Sequence, residues 1–248
     1  VMKQIVIFLQ LLCSVLLVQG CHKYDDFIYA SRPLIDTTII VPVTDTSLKS
    51  WLALGDSYTI GASVTSEQRF PEQTTALLRG YGFNMKDPEY IARSGWTTTN
   101  LQYAIKDQNP TGPYDVVTLL IGVNDQYQTG GDTTGYRQRF TALLLDAIEL
   151  TGNEKKHVFV LSIPDYSVTP FAATGDTAAI RRELEWFNGI NRQVTDAYAI
   201  VYTDITPSTR EAKTDYSLLA GDGLHPSGKE YTVWAAMLAP KIKAALMK

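Results

Sequence analysis

Three residues near opposite ends of the chain have the types that nucleophilic catalysis requires. Ser57 lies in the stretch ALGDSYTIGAS (53–63), and Asp222 and His225 lie three residues apart in DGLHPSG (222–228). A serine hydroxyl is a weak nucleophile until a histidine, oriented by a carboxylate, takes its proton. One short loop with Asp222 and His225 can supply both the base and its orienting acid. The chemistry that this set indicates is acyl transfer.

Each segment also has an ordinary structural explanation, because Gly, Asp and Ser are common in turns and D-x-x-H is typical of a turn with a helix cap. The other two histidines are poorly placed for catalysis. His22 lies beside Cys21, and His157 begins a predicted strand on the side away from the expected ligand-binding edge. Whether these segments are catalytic or ordinary turns depends on whether the helices and strands of the fold bring Ser57 and His225 together.

From Trp51 onward, short apolar runs alternate with amphipathic helical stretches. Strands that are apolar throughout are buried on both faces, which predicts a parallel sheet covered by helices. The predicted strands are 51–54, 90–92, 116–121, 158–161 and 200–202, and the predicted helices are 71–79, 98–105, 136–150, 178–197 and 228–247. The predicted fold is one α/β domain of three α/β/α layers, flavodoxin-like, with a parallel sheet of about five strands.

Polar groups follow several of these strands, where open parallel sheets bind their ligands. Ser57 follows the first strand, Gly95 the second and Asn124 the third, and the Asp222/His225 pair comes after the fifth. Taken singly, Gly95 indicates a bend, and GVND around Asn124 indicates a turn. Their joint occurrence in this order favours a shared site.

Four segments together resemble the SGNH, or GDSL, hydrolase family. The matching stretches are ALGDSYTIG (53–61), ARSGWTT (92–98), LLIGVNDQY (119–127) and DGLHPSG (222–228). The resemblance extends from about Trp51 to the C-terminus and implies a serine esterase that works through a covalent acyl-enzyme. The sequence around Ser57 lacks the G-x-S-x-G pattern and does not support the α/β-hydrolase fold.

The resemblance also implies a role for each matching position. Ser57 corresponds to the nucleophile, His225 to the general base and then acid, and Asp222 to the residue that orients His225. The oxyanion hole corresponds to the backbone N–H groups of Ser57 and Gly95 and the side-chain amide of Asn124. Asp56 corresponds to a support for the loop rather than a participant in the reaction.

Two regions are candidates for the wall of a substrate pocket. The loop SIPDYSVTPFAATGD (162–176) is a long excursion of the kind that often borders binding sites. Tyr166, Thr169 and Phe171 in this loop are candidate lining residues, although packing of the loop explains them equally well. Trp96, beside Gly95, is another candidate. By contrast, helical spacing predicts that three residues of the fourth helix belong to the core: Trp186, Phe187 and Ile190.

The N-terminal residues predict export and lipid anchoring. Residues 1–20 have the charged and apolar regions of a signal peptide, and Leu17 to Cys21 resembles the lipobox of bacterial lipoproteins. An ordinary cleaved signal is the alternative. If Cys21 is lipidated, the protein is held at a bacterial membrane, on the periplasmic face or the cell surface, and mass spectrometry of membrane-extracted protein tests this. Residues 21–50 are predicted to be a tether, and 51–248 the hydrolase domain.

The composition bears on partners and cofactors. A net charge of −4 and a pI near 5.4 argue against a nucleic-acid partner. The sequence predicts no metal site and no cofactor, because paired His or Cys ligands and phosphate-binding glycine motifs do not occur. The expected partner is a small acyl ester or an acylated glycan.

Several functions are consistent with these motifs. A short-acyl, acetyl-type esterase acting on carbohydrate is the leading interpretation, and lysophospholipids and acyl thioesters stay open as substrates. The alternatives outside catalysis are an acyl-glycan binding module on the same fold and an anion-binding flavodoxin-like protein, in which His225 has no special role.

Overall fold

The computed structural model describes residues 45–247. The predicted signal peptide, Cys21 and tether residues 21–44 lie outside the described residues. Within the described part of the chain, no helix combines the length and the apolar composition needed to cross a bilayer.

Five parallel strands form one sheet, as predicted. They are β1 (Trp51–Gly55), β2 (Glu89–Ala92), β3 (Val116–Leu120), β4 (Val158–Leu161) and β5 (Val201–Thr203). Their spatial order is β2-β1-β3-β4-β5. In the register of β1 against β3, Trp51 pairs with Val116 and Gly55 with Leu120. Every residue of β1, β3 and β4 is buried, which explains why these runs are apolar without alternation.

Helices cover both faces of the sheet and complete the predicted three layers. They are α1 (Ser57–Ile60), α2 (Phe70–Gly80), α3 (Thr98–Gln108), α4 (Val123–Thr129), α5 (Tyr136–Leu150), α6 (Thr177–Ala197), α7 (Thr206–Thr209) and α8 (Gly228–Leu246). α2 packs on α8 in one layer, and α5 packs on α3 and α6 in the other. The sequence did not predict the short helices α1, α4 and α7.

Two local predictions were wrong. The GVND segment, expected to be a turn, begins α4, because Gly122 adopts a φ of 125° and the helix begins at Val123. Trp186, expected in the core, is 52% exposed and lies under the guanidinium of Arg182, whereas its neighbour Phe187 is fully buried. Consecutive helical residues point about 100° apart, so only one of this pair faces the sheet.

The C-terminal residues of the predicted tether contact the domain, among them Thr46, Lys49 and Ser50. The Lys49 ammonium lies 2.7 Å from the Asp45 carboxylate and 3.5 Å from Asp115. The Ser50 backbone N–H donates to Asp115 over 2.8 Å. These contacts fix the entry of the chain into β1.

Candidate active site

The strand order reverses around β1, which has β2 on one side and β3 on the other. In open α/β sheets, ligands bind outside the carboxyl ends of the strands at such a reversal. Ser57 follows β1, Gly95 follows β2 and Asn124 follows β3. The fold therefore brings these three predicted residues to one edge of the sheet.

Ser57 is placed by a sharp change from strand to helix. A Cβ on Gly55 would lie 2.4 Å from the Leu120 carbonyl oxygen and 2.1 Å from the Thr59 hydroxyl oxygen, so only glycine fits at the end of β1. The Asp56 carboxylate accepts a hydrogen bond of 3.0 Å from the Tyr58 N–H and caps α1. As a result Ser57 is the first residue of α1, at the carboxyl edge of the sheet.

Asp222 and His225 form a hydrogen-bonded pair, the arrangement that the resemblance implies. His225 Nδ1 lies 2.6 Å from Asp222 Oδ2. Asp222 Oδ1 accepts hydrogen bonds of 3.0 Å from the backbone N–H groups of Leu224 and His225. A carboxylate at Nδ1 favours the tautomer with its proton there, which leaves the Nε2 lone pair free to accept one.

A residue that the sequence did not reveal, Ser63, also holds the Asp222 carboxylate. The Ser63 hydroxyl donates to Asp222 Oδ2 over 2.6 Å, and Ser63 has a φ of 66°, which L-residues other than Asn and Asp seldom adopt. Burial by itself raises the pKa of Asp222, but the hydrogen bonds from Ser63, His225 and the backbone outweigh it and hold that pKa well below its usual range. Asp222 is therefore ionised across the neutral pH range.

The His225 ring is held by an aromatic contact as well as by its acid. The buried Tyr58 ring meets His225 edge to face, with 5.5 Å between the ring centroids. Ser57 and His225 line the same pocket. Among the described residues, no hydrogen bond joins the Ser57 hydroxyl to the His225 ring. In ligand-free enzymes such bonds are often long and tighten when substrate binds.

Three residues that line this pocket carry candidate N–H donors: Ser57, Gly95 and Asn124. Within residues 45–247, the backbone N–H groups of Ser57 and Gly95 donate no hydrogen bond. One N–H of the Asn124 amide donates to the Trp96 carbonyl over 3.0 Å, which orients the amide and leaves its second N–H for a ligand. Gly95 has a φ of 85° with open space around a Cβ position, so its backbone conformation explains the glycine.

The pocket at this edge has a volume of about 170 Å³. It is lined by Ser57, Tyr58, Ser94, Gly95, Val123, Asn124, Tyr127, Tyr166, Phe171, Leu224 and His225. Of the predicted wall residues, Tyr166 and Phe171 line it. Thr169 does not, because it is buried and its hydroxyl donates to the Tyr166 carbonyl over 2.7 Å. Trp96 lines a separate groove beside the pocket.

An aromatic cluster forms one wall of this pocket and consists of Tyr127, Tyr166 and Phe171. Their ring centroids are 6.1 to 6.4 Å apart. Tyr127 is 59% and Phe171 48% exposed, whereas Tyr166 is buried and donates its hydroxyl to Gln126 over 2.9 Å. The sequence did not point to Tyr127. It follows Asn124 by three residues, a spacing that places both on one face of α4 once that helix is recognised.

Asp56 is fully buried, and one of its carboxylate oxygens lacks a hydrogen-bond partner. Burial raises the pKa of Asp56 to about 8, with a further rise from the charge of Asp125, although the Tyr58 N–H lowers it. An unfolded aspartate titrates near 3.9. Between about pH 4 and pH 8, the folded protein binds a proton that the unfolded chain releases, so Asp56 destabilises the fold increasingly as the pH rises.

We therefore expect Asp56→Asn to remove this pH dependence. The difference between the free energies of unfolding of Asp56→Asn and the wild type should increase in favour of the variant, by up to ~1.4 kcal/mol per pH unit between about pH 5 and about pH 7.5. Urea unfolding at several pH values measures the gain, with Asp87→Asn, at an exposed position, as the control. A difference between wild type and Asp56→Asn that stays constant over this range would contradict a protonated Asp56.

Potential metal ligands are scattered over the described part of the chain. Between residues 45 and 247, no three His, Cys, Asp or Glu side chains are grouped so that they can hold a metal ion.

Comparisons with known structures agree with this fold. A member of the lipolytic G-D-S-L family from Veillonella parvula is 19% identical, with a TM-score of 0.59, and the match covers 80% of this chain and 97% of that one. The acetylxylan esterase Axe2 from Geobacillus stearothermophilus has 19% identity, a TM-score of 0.59 and coverages of 78% and 94%. A lipase/acylhydrolase from Enterococcus faecalis has 18% identity, a TM-score of 0.58 and coverages of 79% and 96%.

The family follows from the sequence comparison. The search of curated proteins gives no significant match. The sequence model of the GDSL-like Lipase/Acylhydrolase family matches residues 53–233, well over half of the chain. This span includes all five predicted catalytic and oxyanion-hole residues, which are Ser57, Gly95, Asn124, Asp222 and His225. The chain therefore belongs to the GDSL-like lipase/acylhydrolase family and is a carboxylic ester hydrolase.

Proposed function

We propose that this protein is a serine esterase that removes short acyl groups, acetyl above all, from carbohydrate substrates. The observation that carries the proposal is the small pocket that Ser57, Asn124 and His225 share. One structural neighbour, Axe2, is an acetylxylan esterase, and that activity is consistent with the proposal. The predicted lipid anchor at Cys21 would hold such an enzyme at a bacterial membrane, on the periplasmic face or at the cell surface.

The first step is attack by Ser57. As the Ser57 oxygen bonds to the ester carbonyl carbon, its proton passes to His225 Nε2. Asp222 stabilises the resulting imidazolium through the bond at Nδ1. The carbonyl oxygen becomes an oxyanion, and the N–H groups of Ser57, Gly95 and Asn124 are donors for it. Donors fixed before the reaction stabilise this charge without a cost of reorganisation.

The second half of the reaction returns the enzyme to its starting state. The tetrahedral intermediate breaks the bond to the alcohol oxygen, which takes the proton from His225 and leaves an acyl group on Ser57. A water molecule then attacks the acyl carbon, again giving its proton to His225. The collapse of the second intermediate releases the acid and returns the proton to Ser57.

Pocket size supports a short acyl group. Pockets that enclose a drug-sized ligand usually measure at least about 300 Å³, whereas this one measures about 170 Å³. The cluster of Tyr127, Tyr166 and Phe171 bounds it, and the Tyr166 hydroxyl is tied to Gln126. A long acyl chain would have to displace these rings or lie in solvent.

A series of p-nitrophenyl esters from acetate to octanoate tests this selectivity. We expect kcat/KM of the full chain to fall at least about tenfold from acetate to octanoate, because the added methylene groups of the longer acyl chains do not fit in the pocket. Acetate release from acetylated xylo-oligosaccharides tests the carbohydrate substrate directly. A rise in kcat/KM with chain length would favour the lysophospholipase or acyl-thioesterase alternative.

A further inference from the structure

The substrate has to extend beyond the pocket if the alcohol is part of a glycan chain, and this inference rests on the proposed function. A volume of about 170 Å³ accommodates an acyl group and little more. The rest of the glycan must therefore lie on the protein surface beside the pocket.

A larger open groove of about 740 Å³ lies along α3. Trp96 is at one end, and Asn100, Tyr103 and Asp107 follow along the helix. Residues spaced by three and four lie on one helix face, so these side chains form a row about 10 Å long. Tyr103 is 69% exposed.

Two adjacent residues of the chain connect the pocket with the groove. Gly95 lines the pocket, and the next residue, Trp96, lines the groove. The Trp96 carbonyl accepts the hydrogen bond from the Asn124 amide, and the Gln128 amide donates to the Gly95 carbonyl over 3.1 Å. These bonds tie residues 95 and 96 to α4, so the residue that lines the groove is anchored beside the residue that lines the pocket.

The side chains in the groove match the two kinds of surface on a sugar. A pyranose ring has apolar C–H faces, which pack on aromatic rings, and a rim of hydroxyl groups, which bond to amides and charged groups. Trp96 and Tyr103 supply the rings. Asn100 accepts two hydrogen bonds from Thr97 at its oxygen, and in the described residues its amide nitrogen donates none. Lys106 and Asp107 add a donor and an acceptor at the far end.

We propose that the groove along α3 is a subsite for the glycan chain that carries the scissile ester. Trp96 and Tyr103 stack on sugar rings on the alcohol side of the bond, and Asn100 bonds to their hydroxyls. The groove makes the enzyme prefer an acylated oligosaccharide over a small acyl ester with the same acyl group.

The test compares two substrates for each variant of the full chain: acetylated xylo-oligosaccharide and p-nitrophenyl acetate. For Tyr103→Ala and Trp96→Ala, the ratio of kcat/KM on the oligosaccharide to kcat/KM on p-nitrophenyl acetate should fall about tenfold, mainly through KM for the oligosaccharide. Trp96→Phe, which keeps an aromatic face, should restore part of the ratio. Trp186→Ala is the matched control, since Trp186 is an exposed tryptophan outside the groove.

Two results would overturn the subsite. One is a wild-type ratio in both alanine variants while the oligosaccharide is still deacetylated. The other is an equal loss on both substrates for Trp96→Ala with a wild-type ratio for Tyr103→Ala, which would limit Trp96 to positioning Asn124. A failure of the proposed function looks different: the wild type then cleaves p-nitrophenyl acetate but releases no acetate from the oligosaccharide, and this overturns the glycan substrate together with its groove.

Discussion

Replacement of Ser57 by alanine is expected to lower kcat on p-nitrophenyl acetate by about a millionfold. Without the hydroxyl, no acyl-enzyme forms, and only the oxyanion donors and substrate binding remain to assist a direct attack by water. Ser57 is the first residue of α1 and lies among the other proposed catalytic groups, so the loss should not depend on the acyl chain. Steady-state assays with a high enzyme concentration measure it.

A matched serine variant separates catalysis from general effects of the substitution. Among residues 45–247, the Ser66 hydroxyl bonds only to the exposed Glu67 carboxylate, so Ser66→Ala should retain wild-type kcat. Intact-mass spectrometry during turnover should detect an acyl adduct on the wild type and none on Ser57→Ala. Residual activity of Ser57→Ala within about tenfold of the wild type would mean that another group is the nucleophile.

Asp222→Asn is expected to lower kcat by about ten-thousandfold. An asparagine amide can donate to His225 Nδ1, and the imidazole then carries its proton on Nε2. In that tautomer it cannot accept the proton of Ser57. The backbone N–H bonds to residue 222 can still be made by the asparagine oxygen, so the loop should keep its shape.

Asp215→Asn is the control for Asp222→Asn. Asp215 is an exposed aspartate that accepts hydrogen bonds from the Ser217 N–H and from Lys229, and bonds from these two residues lower its pKa to about 2. This variant should keep wild-type kcat although it also loses one carboxylate near α8. If both variants lose activity equally, the loss comes from the charge of the segment rather than from the tautomer of His225.

The strands and most of the helices could be predicted because their signals are local. All five strands were predicted to within one residue at each end, and the long helices to within three. An apolar run between turn residues depends on its own neighbours in the chain, and so does a helical period. The short helix α4 was missed because its seven residues are too few to show a period and its first residues also favour a turn.

The burial of single helix residues was harder to predict. Trp186 and Phe187 are neighbours of similar character, yet one is exposed and the other lies in the core. Helical periodicity identifies an apolar face only approximately, and the packing of α6 against the sheet decides which residue is covered. Thr169 and Trp96 were misplaced for a similar reason, since the path of a loop decides whether its side chains face the pocket, the core or a neighbouring groove.

The order of the elements, the residue types after each strand and the spacing of Asp222 and His225 can be read from the sequence alone. These features depend on short stretches of chain. Three features of the site follow from the packing of the folded chain: Ser63 bonds to Asp222 across 159 positions, three aromatic rings bound a small pocket, and Trp96 lies in the groove along α3. Such contacts depend on how distant segments pack against each other, and no local pattern encodes the distance between them.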